Sequence, residues 1–327
     1  MKNHFNQLIM AEISDDIQRA INELTNGNLI GFPTETVYGL AGNALNESSI
    51  LKIFETKNRP AFDPLIVHTF SIEEVKKFVR ETPKKLSLLM EKFSPGPITF
   101  LLPKKNNVPD LVTSGLDNVA VRIPNHPVAL KLLSSLPFPL AAPSANPFGY
   151  VSPTTSKHVN DQLGNKINFI LEGGDCEVGL ESTIVGLEDD KVTIYRLGGI
   201  SVEDIVNVVG EVQIKSHSSS NPAAPGMLKS HYAPSKRLIL KKDFRKTKAD
   251  FQNIGYIGFD TFNSEIPEQN QLLLSANGNL NEAAKNLFAV LREIEHRDQK
   301  VFVVDLVPEA GLGKAINDRL RRATAKS

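Results

Sequence analysis

The sequence predicts an α/β protein in which a twisted, mixed β-sheet with helices packed on it is followed by a small Rossmann-like α/β unit. Three observations lead there. Apolar runs of strand length mix irregularly with helical stripes up to about residue 212, so a strictly alternating, doubly wound sheet is not expected. Residues 216–234, with Ser218, Ser219, Ser220, Asn221, Pro222, Pro225 and Gly226, hold neither the helical nor the strand period and read as a linker. Beyond them, further apolar runs and helical stripes fit one more module of ordinary domain size.

The elements follow in order. Ser14 reads as an N-cap with Asp15 and Asp16 in the first turn, Ile17, Ala20, Ile21 and Leu24 form a helical stripe, and Gly27 ends it. A strand is expected at 28–32, then a helix at 47–56 whose apolar side is Ile50, Leu51, Ile53 and Phe54. A strand at 65–69, helices at 72–80 and 84–93, and strands at 98–102, 118–123 and 138–142 come next. A helix at 156–163, strands at 167–171, 182–187 and 191–196, and a helix at 201–209 complete the first unit. After the linker, strands are expected at 237–241, 254–259, 271–274 and 301–306, with helices at 279–295 and from Gly313 onward.

Composition narrows the function classes. A chain of 327 residues can bury cores for two domains. Lys plus Arg and Asp plus Glu both number 37, giving zero net charge, whereas stable binders of tRNA usually carry a basic excess. Cys176 is the single cysteine, which excludes an intramolecular disulfide and a cysteine-rich metal site and leaves it as a small apolar filler. Residues 1–10 lack a long apolar core and run into Glu12, Asp15 and Asp16, and no apolar run has membrane-spanning length, so a cytoplasmic location is expected.

The most informative motif is Lys57-Asn58-Arg59-Pro60, downstream of Pro33-Thr34-Glu35-Thr36-Val37-Tyr38-Gly39-Leu40. Two cations flank one residue beyond a helix, in a loop aimed past the preceding strand, and a triphosphate fits between them. Alone, such a pair is most often a solvated helix end that complements the helix dipole. Other strand ends supply company: His68 closes Asp63-Pro64-Leu65-Ile66-Val67-His68, Arg122 interrupts the apolar run 118–124, and Ser144 and Asn146 follow 138–142. Glu181-Ser182-Thr183 opens a strand, and Tyr195-Arg196 closes the next. Ligands of open α/β sheets collect at such strand ends. Gly311-Leu312-Gly313-Lys314 lacks the spacing and the hydroxyl of a Walker loop and reads as a helix start, and no Gly-x-Ser-x-Gly elbow or helical His pair occurs.

The ordered set PTETVYGL, KNRP, DPLIVH, NVAVRIP, APSAN, SPT, ESTIV and YRLGG resembles the Sua5/YrdC/YciO family. The later SHYAP and GLGKAINDRLRRA are similar to its two-domain Sua5 branch, and the resemblance spans residues 13–325. It implies a YrdC-like catalytic domain at 13–212, a linker and active-site lid at 213–234, and a small Rossmann-like Sua5 domain at 235–327. The implied reaction condenses L-threonine, bicarbonate and ATP to L-threonylcarbamoyl-AMP and pyrophosphate, supplying N6-threonylcarbamoyladenosine at tRNA position 37. Magnesium would arrive on the ATP phosphates, because that ion keeps most of its waters and needs few protein ligands. The implied partners are the downstream tRNA threonylcarbamoyltransferase machinery and, transiently, tRNA.

Carried over residue by residue, the resemblance makes Lys57 and Arg59 the catalytic cations that hold the triphosphate, both expected to face solvent. Asp63, Asn118, Ser144, Ser152, Arg196 and Tyr232 join them around ATP. Thr36, His68, Arg122, Ala142 and Ser182 surround threonine, with Arg122 the bidentate partner of its carboxylate. Taken singly, each hydroxyl here is more often a turn or cap, and each arginine an ion-pair partner. Two positions depart from the family pattern. Asp63 stands where asparagine is common, and Asn118 where threonine is; an ionised Asp63 accepts but cannot donate hydrogen bonds. Two other classes compete: a non-catalytic binder of double-stranded RNA, disfavoured by zero net charge, and a one-domain enzyme of the YciO type, for which the C-terminal unit is unexpected. Threonine-dependent pyrophosphate release separates all three.

Overall fold

A computed structural model of the chain describes residues 10–215, 224–225, 232–245 and 253–325, and two β-sheets form its frame. The first runs through β1 (Glu12–Ser14), α1 (Ile17–Thr25), β2 (Ile30–Phe32), β3 (Gly39–Asn43), α2 (Glu47–Lys57), β4 (Ile66–His68), α3 (Ile72–Val75), α4 (Lys84–Phe93) and β5 (Ile98–Pro103). It continues with α5 (Asp110–Thr113), β6 (Asn118–Arg122), α6 (Pro127–Ser135), β7 (Leu140–Ala141), α7 (Ser156–Leu163), β8 (Phe169–Leu171), β9 (Thr183–Glu188), β10 (Lys191–Arg196), α8 (Val202–Val209) and β11 (Val212–Ile214). The second part holds β12 (Arg237–Leu240), β13 (Gly255–Gly258), β14 (Gln271–Leu273), α9 (Leu280–Glu293), β15 (Val301–Val304) and α10 (Gly313–Thr324). The linker stretches 216–223 and 226–231, with Ser230 and His231, lie outside the described residues, as do 1–9.

The first sheet has the order β1-β8-β2-β3-β7-β4-β6-β5-β9-β10-β11 and is mixed, as expected: β4 and β6 are parallel, β5 and β6 antiparallel. Its central strands are buried throughout, which is why they read as continuous apolar runs rather than alternating ones. One side packs Ile50, Ile53 and Phe54 of α2 with Leu86, Leu89 and Met90 of α4. The other packs Ala20 and Leu24 of α1 with Ala129, Leu132 and Leu133 of α6 against Phe32 and Phe169.

The second sheet, β12-β15-β13-β14, is wholly parallel. Its core is continuous with the first unit: Val37, Val151, Leu180 and Tyr232 share one apolar cluster with Leu287 and Phe288 of α9 and Ile316 and Leu320 of α10. Gly179 permits this contact. Its φ is +72°, and a Cβ there would stand 2.4 Å from Lys285 Cα, so only glycine lets α9 come so close.

Several local expectations are corrected. Ser14 ends β1, and Asp16 caps α1 by accepting from the Arg19 amide. Strand β3 was not expected, because Gly-Leu-Ala-Gly-Asn has weak strand propensity; its flanking partners β2 and β7 impose the extended form. Helix α6 was also missed, although Pro127 at its first turn and His126 as its cap mark the start. The helix expected at 72–80 stops at Val75, and β11 adds a parallel strand beside β10.

Candidate active site

The site lies on one end and face of the large sheet. In β6, side chains two apart share a face, so Asn118, Ala120 and Arg122 point the same way, and His68 and Ile66 are registered beside Arg122 and Ala120. A cleft enclosing about 50 Å³ opens there, bordered by Arg59, His68, Arg122, Ala142, Ser144, Arg196 and Tyr232. Lys57, Asp63, Thr36, Ser152 and Ser182 stand behind this lining as buried groups. Asn118 is exposed at the far end of β6 from Arg122 and does not border the cleft.

The cation pair is built by a helix stop. Asn58 takes a left-handed conformation (φ +51°) at the C-cap of α2, a role asparagine fills with little strain, and its amide returns to Phe54 and Glu55 carbonyls. Lys57 is therefore the last helical residue, not a loop residue, and it is 1 % exposed. This corrects the solvent-facing expectation. Its Nζ donates to Ser144 O at 2.5 Å and also to Asn146 O. Burial, and secondarily Arg59, push its pKa well below the usual lysine value. Arg59 donates to the carbonyls of Asp63 (3.0 Å) and Pro64 (2.8 Å) and pairs with Asp63 Oδ2 at 3.0 Å. Asp63 is fully buried, and neither of its carboxylate oxygens receives a hydrogen bond.

At the other end, Arg122 donates from Nη1 to Thr36 Oγ1 (2.9 Å) and from Nε to Gly96 O (3.3 Å). Its Nη2 lies 2.8 Å from Glu35 Oε1, yet neither that nitrogen nor the Glu35 carboxylate forms a hydrogen bond, so both keep unused capacity. His68 stacks edge-on against Phe32 (5.8 Å), with Nδ1 3.1 Å from Ile66 O. Burial, reinforced by Arg122, pushes its pKa down to about 3, so the imidazole is neutral at ordinary pH.

The remaining wall links three segments. Arg196 donates to Ser182 O and Ser182 Oγ, both at 3.0 Å, and burial pushes its pKa down to about 10. The Ser182 hydroxyl also meets Thr99 Oγ1 at 2.7 Å. Ser152 donates to Glu181 Oε1 at 2.7 Å, and Glu181 Oε2 pairs with Arg319 Nε at 3.0 Å. Tyr232 is 1 % exposed, stacked on Phe288.

Glu35, Glu181 and Arg319 were not singled out from the sequence. The first two sit inside PTET and ESTIV, where a carboxylate among hydroxyls and apolar residues was a readable signal. Arg319 looks in sequence like one cation of a charged terminal helix. Among the described residues, no group of three or more His, Cys, Asp or Glu side chains is placed to hold a metal ion. No described helix is long and apolar enough to cross a membrane.

An α/β fold that gathers three buried or half-buried arginines, Arg59, Arg122 and Arg196, around one cleft defines a protein that holds small, multiply anionic molecules. Residues 22–198 match the family model Sua5_yciO_yrdC, described as telomere recombination, and residues 200–325 match the C-terminal domain of threonylcarbamoyl-AMP synthase. The chain belongs to the Sua5/YrdC/YciO family, in its two-domain Sua5 form. It is 38 % identical over 324 residues to threonylcarbamoyl-AMP synthase of Pyrococcus abyssi, covering 94 % of each chain. It is 35 % identical to the Bacillus subtilis protein of that name, covering 94 % of this chain and 92 % of the other. The crystal structure of P. abyssi Sua5 complexed with L-threonine superposes with a TM-score of 0.87 at 37 % identity, covering 97 % of each chain. The E. coli YciO structure, at 21 % identity and a TM-score of 0.52 over 58 % of this chain, shares the fold alone.

Proposed function

We propose that this chain is an L-threonylcarbamoyl-AMP synthase that binds threonine and ATP side by side in the cleft. The observation that carries it is Arg122 Nη2, buried beside the cleft with hydrogen-bonding capacity unused, while Arg59 and Arg196 stand elsewhere on the same lining. A carboxylate takes the first and a phosphate chain the others. Likeness to a Sua5 complexed with L-threonine supports threonine as one of the ligands.

Threonine's neutral amine and bicarbonate give a carbamate and water; a carbamate oxygen attacks the α-phosphorus, and pyrophosphate leaves. Anions must approach one another for this, and in a partly desolvated cleft their repulsion amounts to several kcal/mol unless cations offset it. Arg59, Lys57 and Arg196 would supply that charge for the nucleotide, with Ser144, Ser152 and Tyr232 around it. Magnesium is written here as part of the nucleotide substrate. Arg122 and Thr36 would hold the threonine carboxylate, with neutral His68, Ala142 and Ser182 shaping the rest of its pocket. Asp63 serves in this reading as the counter-ion of Arg59, and Asn118, at the far end of the shared β6 face, would meet only the outermost part of a bound nucleotide. The product is a mixed anhydride, an activated carbamoyl donor that a transferase acting on tRNA would consume in the cytoplasm.

Purified protein should release pyrophosphate from ATP only when threonine and bicarbonate are both present. Equal ATP turnover without threonine would overturn the assignment.

A further inference from the structure

Arg319 does not border the cleft, yet it touches residues that do. Its Nε pairs with Glu181 Oε2 at 3.0 Å, its Nη2 donates to Leu197 O at 2.8 Å, immediately after Arg196, and its guanidinium lies 4.9 Å from the centre of the Tyr232 ring. Glu181, Arg196 and Tyr232 all line the cleft. The Arg319 side chain is 0 % exposed, and its third nitrogen is paired with Asp318 at 2.6 Å. A guanidinium so far from water persists only when every edge is satisfied, and here the satisfying groups come from the other unit, the linker and its own helix.

Tyr232 supplies an independent sign of constraint. Its φ is +65°, a left-handed conformation that a bulky residue adopts only when its surroundings over-determine it. The surroundings are Phe288 of α9, stacked at 5.6 Å and 27°, with Arg319 and Arg322 of α10 at 4.9 and 5.0 Å. All three clamp residues belong to the C-terminal unit.

We infer that Arg319 is a positioning residue for the nucleotide half of the site, and that the C-terminal unit forms the outer wall of that half. The planar fork reaches a carboxylate, a carbonyl and an aromatic face at once, which a lysine ammonium cannot do. Without it, Tyr232 is released from its strained backbone, and Glu181 turns its charge onto Arg196, weakening that arginine's pull on phosphate. The hydrogen bonds of Arg319 go to Glu181, Asp318 and Leu197 and not to His68, Arg122 or Thr36, so the effect on threonine should be the smaller one. The inference rests on the proposed placement of ATP along Arg196 and Tyr232.

The test measures KM for ATP and for threonine in pyrophosphate release, with thermal unfolding alongside, for Arg319→Lys. The paired Arg319→Gln/Glu181→Gln variant removes both partners of the Glu181 ion pair and leaves Asp318 its ion pair with Arg322 at 3.5 Å, and Phe288→Leu loosens the clamp from its other side with every ion pair intact. Each should raise KM for ATP tenfold or more and leave KM for threonine within twofold, with lysine giving no rescue. Folded variants with an unchanged ATP KM, or with both KM values raised equally, overturn the inference. Should the wild-type protein release no pyrophosphate, the proposed reaction fails first, and ATP dissociation constants from equilibrium dialysis on the same variants still decide the role of Arg319.

Discussion

The ammonium of Lys57 lies 2.5 Å from the carbonyl oxygen of Ser144 and bonds Asn146 O as well, so the first cation of the Lys-x-Arg pair is turned into the protein. The backbone adds a return link, with the Phe148 amide donating to Lys57 O at 2.9 Å. The end of α2 and the loop carrying Ser144 are thereby one unit.

Lys57→Ala should therefore lower both rate and stability. It leaves two carbonyls without their charged donor and opens a void, together about 2–4 kcal/mol, while the reaction slows several hundredfold or more. Lys57→Met refills the volume and should recover part of the stability but none of the rate. Urea midpoints and pyrophosphate release check this; near wild-type turnover in Lys57→Ala would place the triphosphate elsewhere.

Asp63→Asn removes the counter-ion of Arg59 without changing its shape. Arg59 keeps its bonds to the Asp63 and Pro64 carbonyls and gains net charge toward the cleft, so KM for ATP should fall or stay within twofold. A tenfold rise would mean that the carboxylate serves the nucleotide's magnesium. Arg59→Lys should not restore the wild-type rate, because an ammonium does not reproduce the planar fork that reaches the Asp63 and Pro64 carbonyls.

The motif series was legible because each motif is local: strand-end polar residues recur in order, and the fold brings Arg59, His68, Arg122, Ala142, Ser144, Arg196 and Tyr232 to one cleft. What stayed hidden depends on long-range partners. Lysine spacing says nothing about whether Nζ will find the carbonyls of Ser144 and Asn146, far along the chain. Arg319 acquires its meaning only where Gly179 lets α9 approach and Glu181 faces α10. Strand β3 has the same cause, since glycine-rich sequence becomes strand only between β2 and β7.

His68 makes stability depend on acidity. Its pKa, about 3 in the folded protein, lies below the ordinary 6.5, so below pH 6.5 the unfolded chain takes up a proton that the folded chain refuses. Its contribution is present above pH 6.5 and declines as pH falls from 6.5 toward 3, by about 1.4 kcal/mol per unit. His158, lowered to about 4 chiefly by burial, acts in the same direction. Urea unfolding at pH 7, 6 and 5 should show this slope, shallower in His68→Gln; an identical slope in that variant would mean that His68 is already charged when folded.

The linker should work as a lid. Pro225 and Tyr232 border a cleft of about 50 Å³, whereas small-molecule sites usually enclose roughly 300–1,000 Å³, so this border is expected to move when ATP binds. A mixed anhydride is lost quickly in water, and a wall that closes over the nucleotide would keep solvent out during reaction and open for release. Tyr232→Ala should then weaken ATP binding and raise the share of product lost to hydrolysis. Removing everything after Glu211 should do the same and also destabilise the remainder, because Val37, Val151 and Leu180 would lose the Phe288 and Leu320 side of their shared cluster. Protease cleavage within 216–234 should slow when ATP and threonine are added together. If cleavage is equally fast with and without them, and Tyr232→Ala binds ATP normally, the linker is a tether rather than a lid.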